Sequence, residues 1–267
     1  LLVRSDERTQ LDGDGFPDFF FGRDAGSTFA LSDGRGRFTA APAPGGLGPV
    51  AVAQLLDYDL DGLLDLVTWT GGTTRVLRNV GTGWDDVSDR ALAAGPSAAP
   101  ISPRAVAVAD LDADGRTDLV TAGEGGLVLW RGTGDDSRRS VRVNLAGRVS
   151  NRGGVGARIE VRAGSLRVRL ERSAASPPVA PADVVVGIGA REGADVVRIL
   201  WPSGILQAEA TAGLLPRQLL VEELDRKPSS CPFLFVWNGE RFEFVTDFLG
   251  AGEMGYWLAP GVRSTPD

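Results

Sequence analysis

The sequence predicts an all-β protein, and three observations carry that reading. Aspartate clusters recur at a near-constant interval through the first half, each running straight into a β-prone stretch. No long stretch shows the 3.6-residue periodicity of an amphipathic helix. From residue 140 onward, apolar and polar residues alternate as in strands with one wet face, for example LRVRLER (166–172). At 267 residues the chain has room for one large or two ordinary domains with real cores.

The second aspartate of each cluster stands at Asp12, Asp59 and Asp112, giving spacings of 47 and 53 residues. Repeats of that size point to propeller blades, or to another array in which neighbours share a core. The clusters lead into DFFFG (18–22), DLVTW (65–69) and DLVTAG (118–123). Glycine-punctuated β segments follow, at LSDGRGRFT (31–39), RVLRNVGTGW (75–84) and GLVLWRGTG (126–134). The expectation is about four short antiparallel strands per repeat, with the clusters on tight turns, over residues 1–135.

A second all-β unit is expected over 140–225. Its strands are read at VRVNL (141–145), RIEVRAG (158–164), LRVRLER (166–172), DVVVGIG (183–189), DVVRILW (195–201), GILQAEA (204–210) and QLLVEEL (218–224). SAASPPVAPA (173–182) is a Pro/Ala loop, and Trp201-Pro-Ser-Gly204 closes a hairpin. Residues 231–267 form a third segment. There FLFVWNGERFEFV (233–245) places two apolar strands around Asn238-Gly239, and the segment is expected to continue in a longer parent chain.

Composition prunes the chemistry. The chain has no histidine, which excludes Ser-His-Asp and Cys-His nucleophilic machinery and His-ligated metals. Its single cysteine, Cys231, permits no intrachain disulfide and is read as a small buried hydrophobe. The net charge of −7 is uneven: residues 1–131 hold 19 acidic and 11 basic side chains, whereas residues 132–267 hold 16 and 17. The half with the clusters therefore favours a cation and disfavours nucleic acid. No run approaches eighteen apolar residues, so no membrane span is expected.

Numbered from the first ligand position, the second cluster sets Asp57, Asp59, Asp61, Gly62 and Asp65 at positions 1, 3, 5, 6 and 9. The third sets Asp110, Asp112, Asp114, Gly115 and Asp118 at the same positions. In the first, Gln10 replaces the opening aspartate, ahead of Asp12, Asp14, Gly15 and Asp18. A hard cation such as Ca²⁺ takes six to eight oxygens, and alternating carboxylates on a curled loop supply them. Glycine at position 6 permits the sharp turn, and the position-7 carbonyls of Phe16, Leu63 and Arg116 add a further oxygen. An EF-hand would need Glu at position 12, where Phe21, Thr68 and Thr121 stand, and helices rather than strands on its flanks. Mg²⁺, with its strict octahedral demand, is the weaker candidate. Three near-equivalent clusters also argue for a job repeated per blade rather than for a catalytic carboxylate pair.

The clusters with their downstream GRGRF (34–38) and NVGTGW (79–84) resemble FG-GAP/VCBS-type repeats, the calcium-binding blades of integrin-like β-propellers. Residues 141–210 resemble the ASPIC/UnbV domain, through Asn151 ahead of GVGARIEV (154–161) and VGIGAREGADVVRILWPSG (186–204). The order, repeats and then ASPIC/UnbV, is that of cartilage-acidic-protein-like proteins and their bacterial secreted relatives. The resemblance implies a partial propeller of about three calcium-binding blades, with the remaining blades in the parent chain. It implies up to three Ca²⁺ ions, the loop at Gln10–Asp18 being the weakest binder. It also implies extracellular or periplasmic placement, a protein or glycan partner at the cell surface, and a binding or adhesion role without catalytic residues. The alternative expectation is the accessory, substrate-binding part of a polysaccharide-acting enzyme whose catalytic domain lies elsewhere.

Three other features have plain structural readings. GGVGAR (153–158) lacks the Lys-Ser/Thr and the helix of a phosphate loop. Arg158 and Arg191, each behind a Gly-x-Gly-Ala, are read as sheet-edge ion pairs, with an anionic glycan as the functional rival. Of the tryptophans, Trp69 and Trp130 belong in blade cores, and Trp201 plugs its hairpin.

Overall fold

In the computed structural model, the residues described are 2–4, 11, 16, 18–22, 26–93, 103–134, 136–172, 183–225, 233–247, 257–259 and 262–263. Among these, helical structure is confined to single turns at Pro44–Gly46 and Ser88–Ala91.

The first half folds as three consecutive antiparallel sheets. The first contains β1 (Leu2–Arg4), β2 (Phe19–Phe21), β3 (Thr28–Ser32) and β4 (Phe38–Pro42), paired in chain order. The second contains β5 (Val52–Leu56), β6 (Asp65–Thr70), β7 (Thr73–Asn79) and β8 (Trp84–Asp86), again in order. The third has β9 (Pro103–Ala109), β10 (Asp118–Gly123) and β11 (Gly126–Trp130). Each aspartate cluster falls between the first and second strands of its sheet. The third sheet departs from the expected four strands: among the described residues it has three, and β11 leads directly toward the next unit.

Packing makes these sheets propeller-type blades. On the middle blade, Ala53, Leu55, Leu66 and Leu77 pack with Phe20 and Phe29 of the first. Leu56, Val67, Trp69 and Val76 point the other way and pack with Val106 and Leu119 of the third. A sheet buried on both faces needs apolar residues at successive positions, which is why DLVTW reads as an unbroken run and not as an alternation. Trp84 extends the first interface by stacking on Phe29, with ring centroids 5.6 Å apart. Of the two tryptophans assigned to blade cores, Trp69 is buried and Trp130 is half-buried against the same core.

The second unit is a two-sheet sandwich. One sheet is ordered β15 (Asp183–Gly189), β12 (Arg139–Ala146), β18 (Gln218–Glu222), with β12 and β18 parallel. The other is ordered β14 (Leu166–Glu171), β13 (Arg158–Ala163), β16 (Ala194–Leu200), β17 (Leu206–Leu215), all antiparallel. Inward residues of both sheets, among them Val141, Val143, Ile159, Val186 and Ile199, make one core. Trp201 plugs the β16–β17 hairpin: it is buried, its backbone N–H donates to Ile205 O, and its indole donates to Gln207 Oε1 at 2.9 Å.

The C-terminal segment contains the expected hairpin, β19 (Phe233–Trp237) and β20 (Phe242–Asp247), closed over residues 238–241 with Asn238 N donating to Arg241 O. Its turn is held against β17 by Ala212 N donating to Glu240 O at 2.6 Å. A short pair, β21 (Trp257–Ala259) and β22 (Val262–Arg263), follows. Cys231 and SAASPPVAPA lie outside the described residues.

Candidate metal centres

The ninth-position aspartates are the most alike of the cluster residues. Asp18, Asp65 and Asp118 are all buried. In each, Oδ2 accepts the N–H seven residues back, from Leu11, Tyr58 and Leu111, at 2.9 Å. In each, Oδ1 accepts the N–H fourteen residues ahead, from Ser32, Asn79 and Gly132, at 2.8 Å. One carboxylate thus ties the start of the loop to the end of the third strand, in three copies. The sequence reading expected these residues to be ligands and missed this bracing contact. The equal +14 offset to the end of the following hairpin is the signal that would have shown it.

The remaining loop positions also fold alike in the two copies described in full. Position 4, Leu60 or Ala113, is left-handed at φ 59° or 62°, and the position-6 glycines Gly62 and Gly115 sit at φ 94° and 88°. That curl turns the first carboxylate onto the backbone. Asp57 accepts N–H bonds from Asp61 and Gly62, and Asp110 accepts one from Gly115. The fifth-position carboxylates, Asp61 and Asp114, accept the N–H of Leu63 and Arg116, the two position-7 residues, at 2.9 and 2.7 Å.

Carboxylate oxygens of Asp57, Asp59 and Asp61 lie within 4.8 Å of one another, as do those of Asp110, Asp112 and Asp118. In the first cluster, Phe16 and Asp18 are described, whereas Gln10, Asp12 and Asp14 lie outside the described residues.

Arginines answer part of the crowding. Arg78 pairs with Asp59 at 2.6 Å and with Asp61 at 2.8 Å, and Arg138, from the next unit, reaches Asp59 at 2.7 Å. In the third loop, Arg142 pairs with Asp110 at 3.2 Å and Arg131 with Asp112 at 3.6 Å. Arg116 is shared between Asp114 and Asp136, at 4.0 and 3.9 Å.

The compensation is incomplete. Burial pushes Asp65 up to about 8, against its two N–H bonds and with Asp57 and Asp59 adding to the rise. Burial likewise raises Asp110, opposed by the Gly115 N–H and Arg142. One oxygen in each loop, Asp59 Oδ1 and Asp110 Oδ1, is buried without a hydrogen-bond partner. A buried carboxylate oxygen in that state costs free energy unless a cation or donor meets it.

The sandwich docks on these same loops. Gly189 N donates to Leu60 O at 2.7 Å, and Ser140 Oγ bonds Gly115 O. A Cβ on Gly187 would stand 2.1 Å from Asp57 Oδ2 and 2.5 Å from the Leu60 carbonyl carbon. Gly-Ile-Gly (187–189) therefore permits a strand to lie against an aspartate loop, a role absent from the sequence reading. Glycines at the end of a β-prone run were the available signal.

A buried carboxylate in the sandwich was also missed. Glu223 accepts the N–H groups of Arg148, Val149 and Ser150 and the hydroxyls of Ser150 and Ser203. Burial alone would raise its pKa. The bonds from Ser203, Ser150 and the backbone outweigh it and hold the group down to about 2. It fastens the 147–151 loop, where Asn151 brackets Val155 through both its backbone groups, to the Trp201–Gly204 turn. Arg191 donates to Ile188 O, a backbone contact in place of the expected ion pair. GGVGAR leads into β13, the strand expected there.

Residues 57–121 match the family model described as an FG-GAP-like repeat, and residues 147–213 match the one described as ASPIC and UnbV. The first match runs from the opening aspartate of the second loop to the strand after the third. No curated protein matches the chain.

Proposed function

For this FG-GAP repeat protein with an ASPIC/UnbV domain, we propose a non-catalytic interaction or adhesion role outside the cytoplasm, extracellular or periplasmic, with Ca²⁺ in the aspartate loops. The observation that carries the calcium reading is the charge left over in each loop. Four carboxylates at 57–65 meet two guanidinium groups, Arg78 and Arg138, leaving −2 once Asp65 is ionised and −1 below about pH 8, where burial keeps Asp65 protonated. At 110–118, Arg142 and Arg131 meet four carboxylates while Arg116 is matched by Asp136, again leaving −2. One divalent cation per loop cancels a remainder of −2, in the second loop with release of the Asp65 proton.

The donor set fits such an ion. It is all oxygen, as a hard cation requires, and Asp59 Oδ1 and Asp110 Oδ1 each present a buried acceptor in want of a partner. The second loop would hold the ion with Asp57, Asp59 and Asp61, and the third with Asp110, Asp112 and Asp118. When bound, the ion supplies charge neutralisation. The chain's own residues brace each blade through the ninth-position ties and set the loop shape that receives the sandwich. A loop so fixed is a rigid part of an interaction surface, which supports a binding role over a reaction.

Calorimetric titration of the whole chain, stripped with EDTA, tests the reading. Saturable binding of at least two Ca²⁺ ions, preferred over Mg²⁺, with a raised melting temperature is the expected result. A melt that EDTA and Ca²⁺ leave unchanged would overturn it.

A further inference from the structure

The outer face of the β14-β13-β16-β17 sheet carries a concentration of charge opposite in sign to the loops. Strand register sets Arg169, Glu160 and Arg198 side by side across three strands. Arg167 and Arg162 form the row on one side, and Glu171 and Arg158 the row on the other. Five arginines thus face two glutamates, a formal +3 within a chain of net −7. All but one of the chain's basic residues are arginine, Lys227 being the exception, so it is their clustering that is informative.

Glu160 organises the cluster. Its Oε1 accepts from Arg162 Nε at 2.8 Å and Arg198 Nη1 at 3.5 Å, and its Oε2 accepts from Arg167 Nε at 2.7 Å and Arg169 Nε at 2.9 Å. Burial would raise the Glu160 pKa, but the bonds from Arg169 and Arg162 outweigh it and lower the group. The four arginine side chains remain 38 to 46 % exposed. Each has five N–H donors and directs one or two at Glu160. Ordering a free arginine costs about 2 kcal/mol of rotamer entropy, and here that ordering is done in the folded protein. The result is a fixed field of guanidinium forks, whose planar geometry matches carboxylate and sulfate.

Beside the arginines the same face turns aliphatic. Leu200 and Leu206 lie opposite each other on β16 and β17, and Val196 lies opposite Ala210. Leu200 and Leu206 are both exposed. Such a strip suits the C–H faces of pyranose rings. The face is roughly 15 Å in each direction by strand spacing and rise, room for a few sugar units. A stiff nucleic-acid duplex would overrun a face of that size.

We infer that this face binds an acidic polysaccharide, its sulfate or carboxylate groups over Arg162, Arg167, Arg169 and Arg198 and its rings over the Leu200–Leu206 strip. This names a partner class for the interaction role proposed above and rests on that reading, but not on the calcium loops.

The test is binding of the whole chain, in calcium, to immobilised dextran sulfate, polygalacturonate, neutral dextran and duplex DNA. Binding to at least one acidic polysaccharide, weakening between 50 and 200 mM salt on the order expected for several ionic contacts, is the expected result. The two acidic arms decide between sulfate and carboxylate. Combined Arg167→Ser, Arg169→Ser and Arg198→Ser should weaken binding tenfold or more. Arg75→Ser with Arg104→Ser, one half-buried and one exposed arginine on the blades, should leave it unchanged. Should the triple variant melt differently from the parent, Arg198→Ser alone carries the comparison. No preference over neutral dextran, equal binding of DNA, or equal losses in both variants would overturn the inference. The calcium-dependent melt is recorded on the same samples. A calcium response that survives loss of polysaccharide binding removes this inference and leaves the earlier reading standing.

Discussion

The loops at 57–65 and 110–118 share every cluster position, yet they sit in different surroundings. In the second loop, Leu60 is buried beneath the Gly187–Gly189 strand, and Arg78 bridges Asp59 and Asp61 from within the blade. In the third loop, Ala113, Asp112 and Asp114 are exposed, and the closest cation, Arg142, comes from the sandwich. The same motif is thus a joint in one copy and a more open loop in the other. A coordination pattern fixes where carboxylates converge; the neighbours decide how much of their charge is left for an ion.

The sharpest way to break the contrast is Gly187→Ala. A methyl group there meets Asp57 and the Leu60 backbone, neither of which can move without opening the curl. The expected loss exceeds about 4 kcal/mol in denaturant unfolding. If the loss is under about 1 kcal/mol, the second loop is not a tight joint.

A smaller effect separates the two interfacial arginines. Arg142→Met leaves Asp110, whose side chain is fully buried, without its ion pair, at about 3 kcal/mol. Arg138→Met leaves Asp59 still paired with Arg78 and costs about 1 kcal/mol. Removing a positive charge beside the third loop should also tighten its Ca²⁺ binding. Loss of stability in EDTA with a gain in calcium affinity is therefore the expected signature of Arg142→Met, read by unfolding and titration.

Much of this was legible in the sequence. The blades were readable because Asp and Gly recur at fixed offsets, and the sandwich strands because β13 and β14 alternate without interruption. What stayed hidden is of one kind: contacts between residues far apart in the chain. Nothing local to Gly187 says that Asp57 will lie against it, and nothing around Glu223 says that three N–H groups 73 to 75 residues away will converge on its carboxylate. The ninth-position aspartates fall between. A ligand role was expected of them from spacing alone, and of the three only Asp118 joins a converging carboxylate group among the described residues; their tie to Ser32, Asn79 and Gly132 required knowing that the next hairpin has a fixed length. The expectation of a fourth strand in the third blade arose because GLVLWRGTG reads as a strand and turn like its counterparts, whereas the sheet pairing among the described residues places β11 at an edge.

Acidity tests the charge left in the second loop. Asp65 has its folded pKa raised to about 8, above the unfolded value near 3.9, so the folded state holds a proton that the unfolded chain has released. Its stabilisation is fully present below pH 4 and is lost as pH rises through 8. The EDTA-treated protein should therefore melt lower at pH 8 than at pH 5.5, and the rise in melting temperature with Ca²⁺ should grow over the same window. Asp65→Asn should flatten both trends. Equal calcium shifts at both pH values would separate Asp65 from the cation. Glu223 acts oppositely and lower down: its contribution is lost as pH falls from about 4.5 toward 2, outside this window.

The smallest expected effect turns on position 4. Ala113 holds φ 62° on an exposed loop, a conformation that costs an L-residue about 1 kcal/mol and glycine little. Glycine in turn adds freedom to the unfolded chain, so Ala113→Gly should gain at most about 0.5 kcal/mol, a rise of a degree or two in melting temperature. Leu60 has the same backbone at φ 59°, and there the exchange removes a side chain that is 2 % exposed beneath the docked strand. The strain relieved is equal, whereas the packing lost is not. Glycine should be tolerated in the third loop and strongly destabilising in the second. Equal outcomes at the two sites would mean that the sandwich does not depend on Leu60, and that the two copies differ less than their surroundings imply.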